Sequence, residues 1–200
     1  MKIAVLVSGS GTNLQTLIEQ LHQDETSGIE IAVVISDRRK AYALTRAKRA
    51  SIPTHVVKIQ DFKNRVDFDT EISNLIEYYA AELVVLAGFM KLFQPAFVGK
   101  YQNRIINVHP ALLPAFPGAH PVADTLAYGV KIAGVTVHFV DEGVDSGPII
   151  AQAAVPVLDT DDAESLHNRI QVEEHKLYPE VIKWYAQGRL KVEGRKVIVQ

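Results

Sequence analysis

Short runs of aliphatic and β-branched residues alternate along the chain with longer stretches whose apolar positions recur every three to four residues. Residues 2–8 (KIAVLVS), 30–36 (EIAVVIS), 54–59 (THVVKI), 83–88 (LVVLAG) and 104–109 (RIINVH) read as strands. Between them, 13–23 and 40–50 read as helices, the second ended by Pro53. Phe68, Ile72, Leu75, Ile76 and Tyr79 share one face of a third. Strands apolar on both faces and separated by helices predict a parallel sheet covered on two sides.

From residue 131 the period changes. Val135, Val137 and Phe139 alternate with Thr136 and His138, which predicts a half-exposed antiparallel or edge strand, followed by a strand at 148–155. Asp161 then opens a long helix, with Glu164 as its capping-box partner. The apolar face of that helix, Leu166, Ile170, Leu177, Val181 and Trp184, runs past Pro179, where a kink is expected. The tail RLKVEGRKVIV reads as a hairpin turning at Glu193-Gly194. With no repeat, low-complexity tract or linker, the expectation is one α/β domain over 1–200. Its sheet is mostly parallel and twisted, with helices on both faces and an antiparallel edge element in the C-terminal half.

Composition narrows the chemistry. A chain of 200 residues buries roughly 70% of its unfolded surface and needs no staple. The absence of cysteine excludes a disulfide scaffold, a thiol nucleophile and a thiolate metal site. The formal charge of −2 argues against a duplex nucleic-acid binder. The basic cluster Arg38, Arg39, Lys40, Arg46, Lys48 and Arg49 reads as a solvated helix face. The seven histidines lack metal-ligand spacing, so no metal is expected. The longest apolar run, Leu83 to Met90, spans eight residues, too short to cross a membrane. The N-terminus lacks a signal-peptide pattern and reads as a first core strand of a cytoplasmic protein.

Three segments carry candidate chemistry. Ser8-Gly9-Ser10-Gly11-Thr12-Asn13 stands at a strand-to-helix junction, where glycines and helix N–H groups can cradle a phosphate. It is neither a dinucleotide fingerprint nor a P-loop, and it would also serve as a tight turn capped by Thr12. Asn107 and His109 share one face at the C-terminal end of a strand, an amide donor beside a titratable ring. They read equally well as a turn former and a satisfied core histidine. The loop Asp141 to Pro148 suits any turn, but beside His109 its Asp145 becomes a carboxylate able to hold and orient the imidazole.

Lined up, SGSGTNLQTLI (8–18), LVVLAGFMKLF (83–93), INVHPALLPAFPG (106–118), GVTVHFVDEGVDSGPII (134–150) and EEHKLYP (173–179) make the chain resemble the phosphoribosylglycinamide formyltransferases, folate-dependent enzymes of purine synthesis. The resemblance implies a Rossmann-like formyltransferase fold, with 1–100 as a nucleotide phosphate-binding half and 101–200 as a folate-binding and catalytic half. It implies that Gly11, Thr12 and Asn13 bind the substrate phosphate and Glu174 the ribose or amine side. Arg65, Met90, Lys91, Leu92, Phe93, Asn107, Val140 and Asp141 would meet the folate, and Asn107, His109 and Asp145 would be catalytic. His120 receives no role, because His120-Pro121-Val122-Ala123 lacks a second histidine found in some relatives. The implied reaction moves the formyl group of 10-formyltetrahydrofolate to glycinamide ribonucleotide, with no metal, nucleic acid or membrane partner and a homodimer open as the assembly. Hydrolysis of the formyl-folate and a non-catalytic binding module are the competing readings. The length leaves no room for the extra domains of formyl-folate hydrolases and initiator-tRNA formyltransferases, which favours the small-molecule transferase.

Overall fold

The side chains of Ile3 to Val7 have no exposed surface, so β1 (Lys2–Val7) is a strand buried on both faces. The isoleucine, valine and leucine chains among them each contribute about 1.5–3 kcal/mol by leaving water. The computed structural model describes residues 1–200, which group into two compact units, Met1–Ile106 and Asn107–Gln200.

In the first unit, β1 is followed by α1 (Thr12–Leu17), β2 (Glu30–Ser36), α2 (Tyr42–Arg49), β3 (Thr54–Val56), α3 (Arg65–Tyr78), β4 (Leu83–Leu86), α4 (Pro95–Lys100) and the start of β5 (Ile105–His109). The strand order is β3-β2-β1-β4-β5. β1 pairs in parallel with β2 and β4, placing Val5 opposite Val34 and Val85, and β2 pairs in parallel with β3. Parallel strands ending together send their following loops to one edge, which is where such sheets bind ligands. The helix expected at 13–23 is divided: α1 ends at Leu17 and the chain widens into a π turn over Ile18–His22. β3 is shorter than expected because Ile59–Asp61 closes into a 3-10 turn.

The second unit opens with the rest of β5, followed by α5 (Pro121–Tyr128), β6 (Ile132–Phe139), β7 (Ile149–Pro156), α6 (Ala163–Ala186) and the hairpin β8 (Leu190–Glu193) and β9 (Lys196–Val199). Its strand order is β5-β6-β7-β9-β8, with β6 and β7 antiparallel. α6 packs on β6 and β7. The half-exposed strand expected from the alternation at 135–139 is corrected here, because β6 is buried from Ala133 to Phe139. Its polar residues face inward and are satisfied there. Thr136 Oγ1 donates to Ala111 O at 2.6 Å and accepts from Leu113 N at 3.0 Å.

α6 begins one residue later than expected. Asp162 is the N-cap, accepting from Ser165 N at 2.8 Å, while Ser165 Oγ accepts from Asp162 N at 3.0 Å, so Ser165 replaces Glu164 in the capping box. Asp161 is thereby free to meet Arg169 in a two-pronged pair of 2.7 and 2.8 Å. The Arg169 guanidinium, helped by the Leu158 N–H, holds the Asp161 carboxyl far below the usual aspartate range. A depressed carboxylate contributes stability above its unfolded pKa and loses it as the pH falls below. Arg169→Met is therefore expected to lower the melting temperature near neutrality, with the gap to wild type shrinking in acid. A gap independent of pH would overturn this assignment.

Candidate active site

The loop after β1 is shaped by where its carbonyls go. Gly9 O accepts from Ala43 N at 3.1 Å, and Gly11 O accepts from Gln15 N at 2.9 Å. Ser10 O accepts from Arg46 Nε at 2.9 Å, and Arg46 Nη1 donates to Gln15 Oε1 at 3.1 Å. In a planar trans peptide the N–H points opposite to the carbonyl before it. Tying back these three carbonyls therefore presents the N–H groups of Ser10, Gly11 and Thr12 on the other side, as an anion cradle requires. Gly11 is the N-cap of α1 at φ 73°, and a Cβ there would lie 2.5 Å from Ala43 Cβ. Only glycine fits both demands. Thr12 and Asn13 form the first turn of α1 and are half-buried.

The loop after β4 is joined to this cradle by Ser8, which is buried. Ser8 N donates to Gly88 O at 3.1 Å, and Ser8 Oγ accepts from Met90 N at 2.9 Å. Met90 and Leu92 then expose apolar side chains, whereas Phe93 stacks between Phe89 and Phe97. Lys91 Nζ lies 3.8 Å from the buried carboxylate of Asp37. Arg65, at the start of α3, places Nε 3.6 Å from Asp69 Oδ1 and its guanidinium over the Phe68 ring. Burial pushes the Asp69 carboxyl upward, against the Gln94 N–H and the Arg65 charge.

In the second unit the end of β5 delivers Asn107 and His109. His109 is buried, with Nε2 donating to Phe116 O at 2.8 Å and Nδ1 3.4 Å from Asp145 Oδ2. Asp145, at φ 50° in the loop after β6, also accepts from Gly118 N at 2.8 Å. That bond holds the same oxygen, Oδ2, that faces His109. His138 on β6 joins the same cluster. Its Nδ1 lies 2.8 Å from Phe139 O, and its Nε2 lies 3.3 Å from Asn107 Nδ2 and 3.7 Å from Asp145 Oδ1. Burial pushes the His138 ring below the ordinary histidine value, against the pull of the Phe139 carbonyl and the Asp145 charge.

Val140 and Asp141 begin the loop after β6, and Asp141 Oδ1 braces that loop by accepting from Gly143 N at 3.1 Å and Ser146 Oγ at 2.6 Å. Glu174 lies on the buried stripe of α6. His120 caps α5 and is exposed.

A buried imidazole, flanked by a half-buried amide on the same strand end and a half-buried loop carboxylate, can stabilise an oxyanion and move a proton, which is acyl-transfer chemistry. The sequence profile of the formyl transferase family matches residues 1–182. The chain belongs to the formyl transferase family. It is 43% identical over 192 residues to the phosphoribosylglycinamide formyltransferase of Escherichia coli K12, covering 96% of this chain and 90% of that one. The enzyme of the same name from Haemophilus influenzae is 42% identical over 192 residues, covering 96% and 90%. A solved glycinamide ribonucleotide transformylase from Symbiobacterium toebii superposes with a TM-score of 0.97 at 47% identity, covering 100% of this chain and 93% of that one.

Two features of this formyl transferase lie outside the sequence reading. Arg46, expected on a solvated face, is half-buried and grips the cradle. His138, expected on a half-exposed strand, is 1% exposed and stands beside Asn107 and Asp145. Gly11→Ala is expected to raise the KM for the phosphate-bearing substrate about ten-fold or more, because the new methyl displaces the cradle from α2. An unchanged KM would show that the cradle does not hold the phosphate.

Proposed function

We propose that this formyl transferase moves the formyl group of 10-formyltetrahydrofolate to the amine of glycinamide ribonucleotide, giving formylglycinamide ribonucleotide and tetrahydrofolate in de novo purine synthesis. The observation that carries this reading is the presence in one chain of a peptide cradle for a phosphate and the Asn107, His109, Asp145 cluster. The cradle supports a phosphorylated acceptor rather than water.

In this reading Gly11, Thr12 and Asn13 bind the phosphate and Glu174 the ribose or amine side. Arg65, Met90, Lys91, Leu92, Phe93, Val140 and Asp141 contact the folate. As the amine attacks, a C–N bond forms at the formyl carbon and charge gathers on its oxygen. Asn107 donates an N–H to that oxygen, a contact worth about 3–4 kcal/mol of barrier. The bond to the folate nitrogen then breaks, and the proton lost by the amine balances the one gained by that nitrogen. His109 handles this proton, oriented by Asp145 and Phe116 O. No helix is long and apolar enough to cross a membrane, and the proposed setting is the cytoplasm. The proposed partners are these two small molecules, with no nucleic acid, and a homodimer is the assembly to be tested by sedimentation.

The test is to incubate the protein with glycinamide ribonucleotide and 10-formyltetrahydrofolate and follow loss of the formyl-folate. Turnover is expected only when the amine is present. Equal turnover without nucleotide would assign a hydrolase instead, and none at all would refute the reading.

A further inference from the structure

The hydrogen on the His138 ring can be located from its surroundings. Nδ1 faces Phe139 O at 2.8 Å, and a carbonyl oxygen can only accept. Nδ1 therefore carries the hydrogen, and in the neutral ring Nε2 is left as a bare lone pair. The ring is 1% exposed, and burial favours its neutral form. Asp145 and Asp141 pull toward the charged form and His109 pushes against it, so these are the charges that set the balance.

That lone pair faces the Asn107 side chain at 3.3 Å. If the Asn107 oxygen were turned toward it, two lone pairs would oppose each other. If the nitrogen is turned toward it, one amide hydrogen is taken up and the second is left over. We infer that His138 is a positioning residue that fixes the orientation of the Asn107 amide, so that the remaining N–H is presented to the oxygen of the formyl group. The inference rests on the formyl-transfer reading for the role of Asn107, but not for the state of the ring.

This role also accounts for a buried histidine on a strand that leucine or valine would fill at lower cost. Protonating Nε2 would replace the lone pair with a donor, which selects the opposite face of the amide. The N–H would then point away from the reacting oxygen. The ring contacts no substrate in this scheme and acts only through Asn107.

Two measurements test it. First, nitrogen-15 NMR of histidine-labelled protein should show a His138 ring protonated at Nδ1 and bare at Nε2 around neutral pH. A hydrogen on Nε2 would overturn the inference, and this readout stands even if the protein proves to have another activity. Second, His138→Leu should lower kcat by about 10- to 100-fold with little change in either KM, approaching the loss for removing the oxyanion donor itself. His138→Gln, whose side-chain oxygen accepts the same bond, should recover most of it. Combined with Asn107→Ala, His138→Leu should cost nothing further, because residues acting as one unit are non-additive. A purely structural role would instead give independent losses that multiply, and that result would overturn the inference. So would a folded His138→Leu protein with wild-type kcat. If the leucine variant does not fold, the glutamine variant paired with Asn107→Ala supplies the same cycle: any deficit it retains should vanish in the double variant, and a deficit that multiplies would overturn the inference.

Discussion

Replacing His109 with alanine is expected to lower kcat by about 10²- to 10⁴-fold, the range for losing a positioned acid or base. Both ring nitrogens face acceptors, Phe116 O at 2.8 Å and Asp145 Oδ2 at 3.4 Å. Phe116 O can only accept, so Nε2 carries a hydrogen, and Nδ1 is left facing the carboxylate that orients the ring. Asp145→Asn should produce a smaller loss, because it removes the charge opposite Nδ1 and leaves the Phe116 contact intact. In both variants KM should change little, since neither group is proposed to anchor phosphate or pterin. Steady-state turnover, with thermal melting to verify folding, decides the matter. A folded His109→Ala protein within about three-fold of wild type would remove His109 from the mechanism.

Gly147→Ala is expected to destabilise the second unit and depress activity together. A Cβ at Gly147 would lie 1.8 Å from Phe139 O and 3.2 Å from Asp141 N, both backbone atoms that cannot rotate away. Overpacking of this kind costs about 1–3 kcal/mol or more, or roughly 2–4 °C of melting temperature for each kcal/mol in a chain of this length. The same carbonyl accepts from His138 Nδ1, and Asp145 stands two residues before the glycine. Relief of the clash must therefore disturb the cluster itself. Denaturant unfolding and turnover on one preparation test the coupling. A normal midpoint would mean that the loop yields freely, and normal turnover at a lowered midpoint would separate the loop from the chemistry.

The parallel strands were legible because a strand buried on both faces writes itself as an unbroken apolar run. β1 and β2 do so almost to the residue. β6 misled, because alternation marks exposure only when the polar side chains reach water. Thr136 and His138 instead find partners inside the protein. Asn107 and His109 were visible as a pair on one face of a strand end. Asp145 gained meaning only beside them, and nothing local announced His138. Arg46 escaped for a different reason: its partner Ser10 is 36 residues away, and a basic helix face looks the same whether or not one arginine folds back. The cap of α6 slipped by one position because Asp161 and Asp162 are equally good caps. The choice is made by Arg169, eight residues beyond Asp161.

The peptide cradle after β1 has a consequence for how binding depends on acidity. From Ser8 to Asn13 the side chains are those of serine, glycine, threonine and asparagine, none of which titrates in the neutral range. In the proposed function the cradle thus offers the phosphate an unchanging set of dipoles. The ligand's own second ionisation, near pH 6 for phosphate monoesters, is then expected to set the course of its affinity across physiological pH.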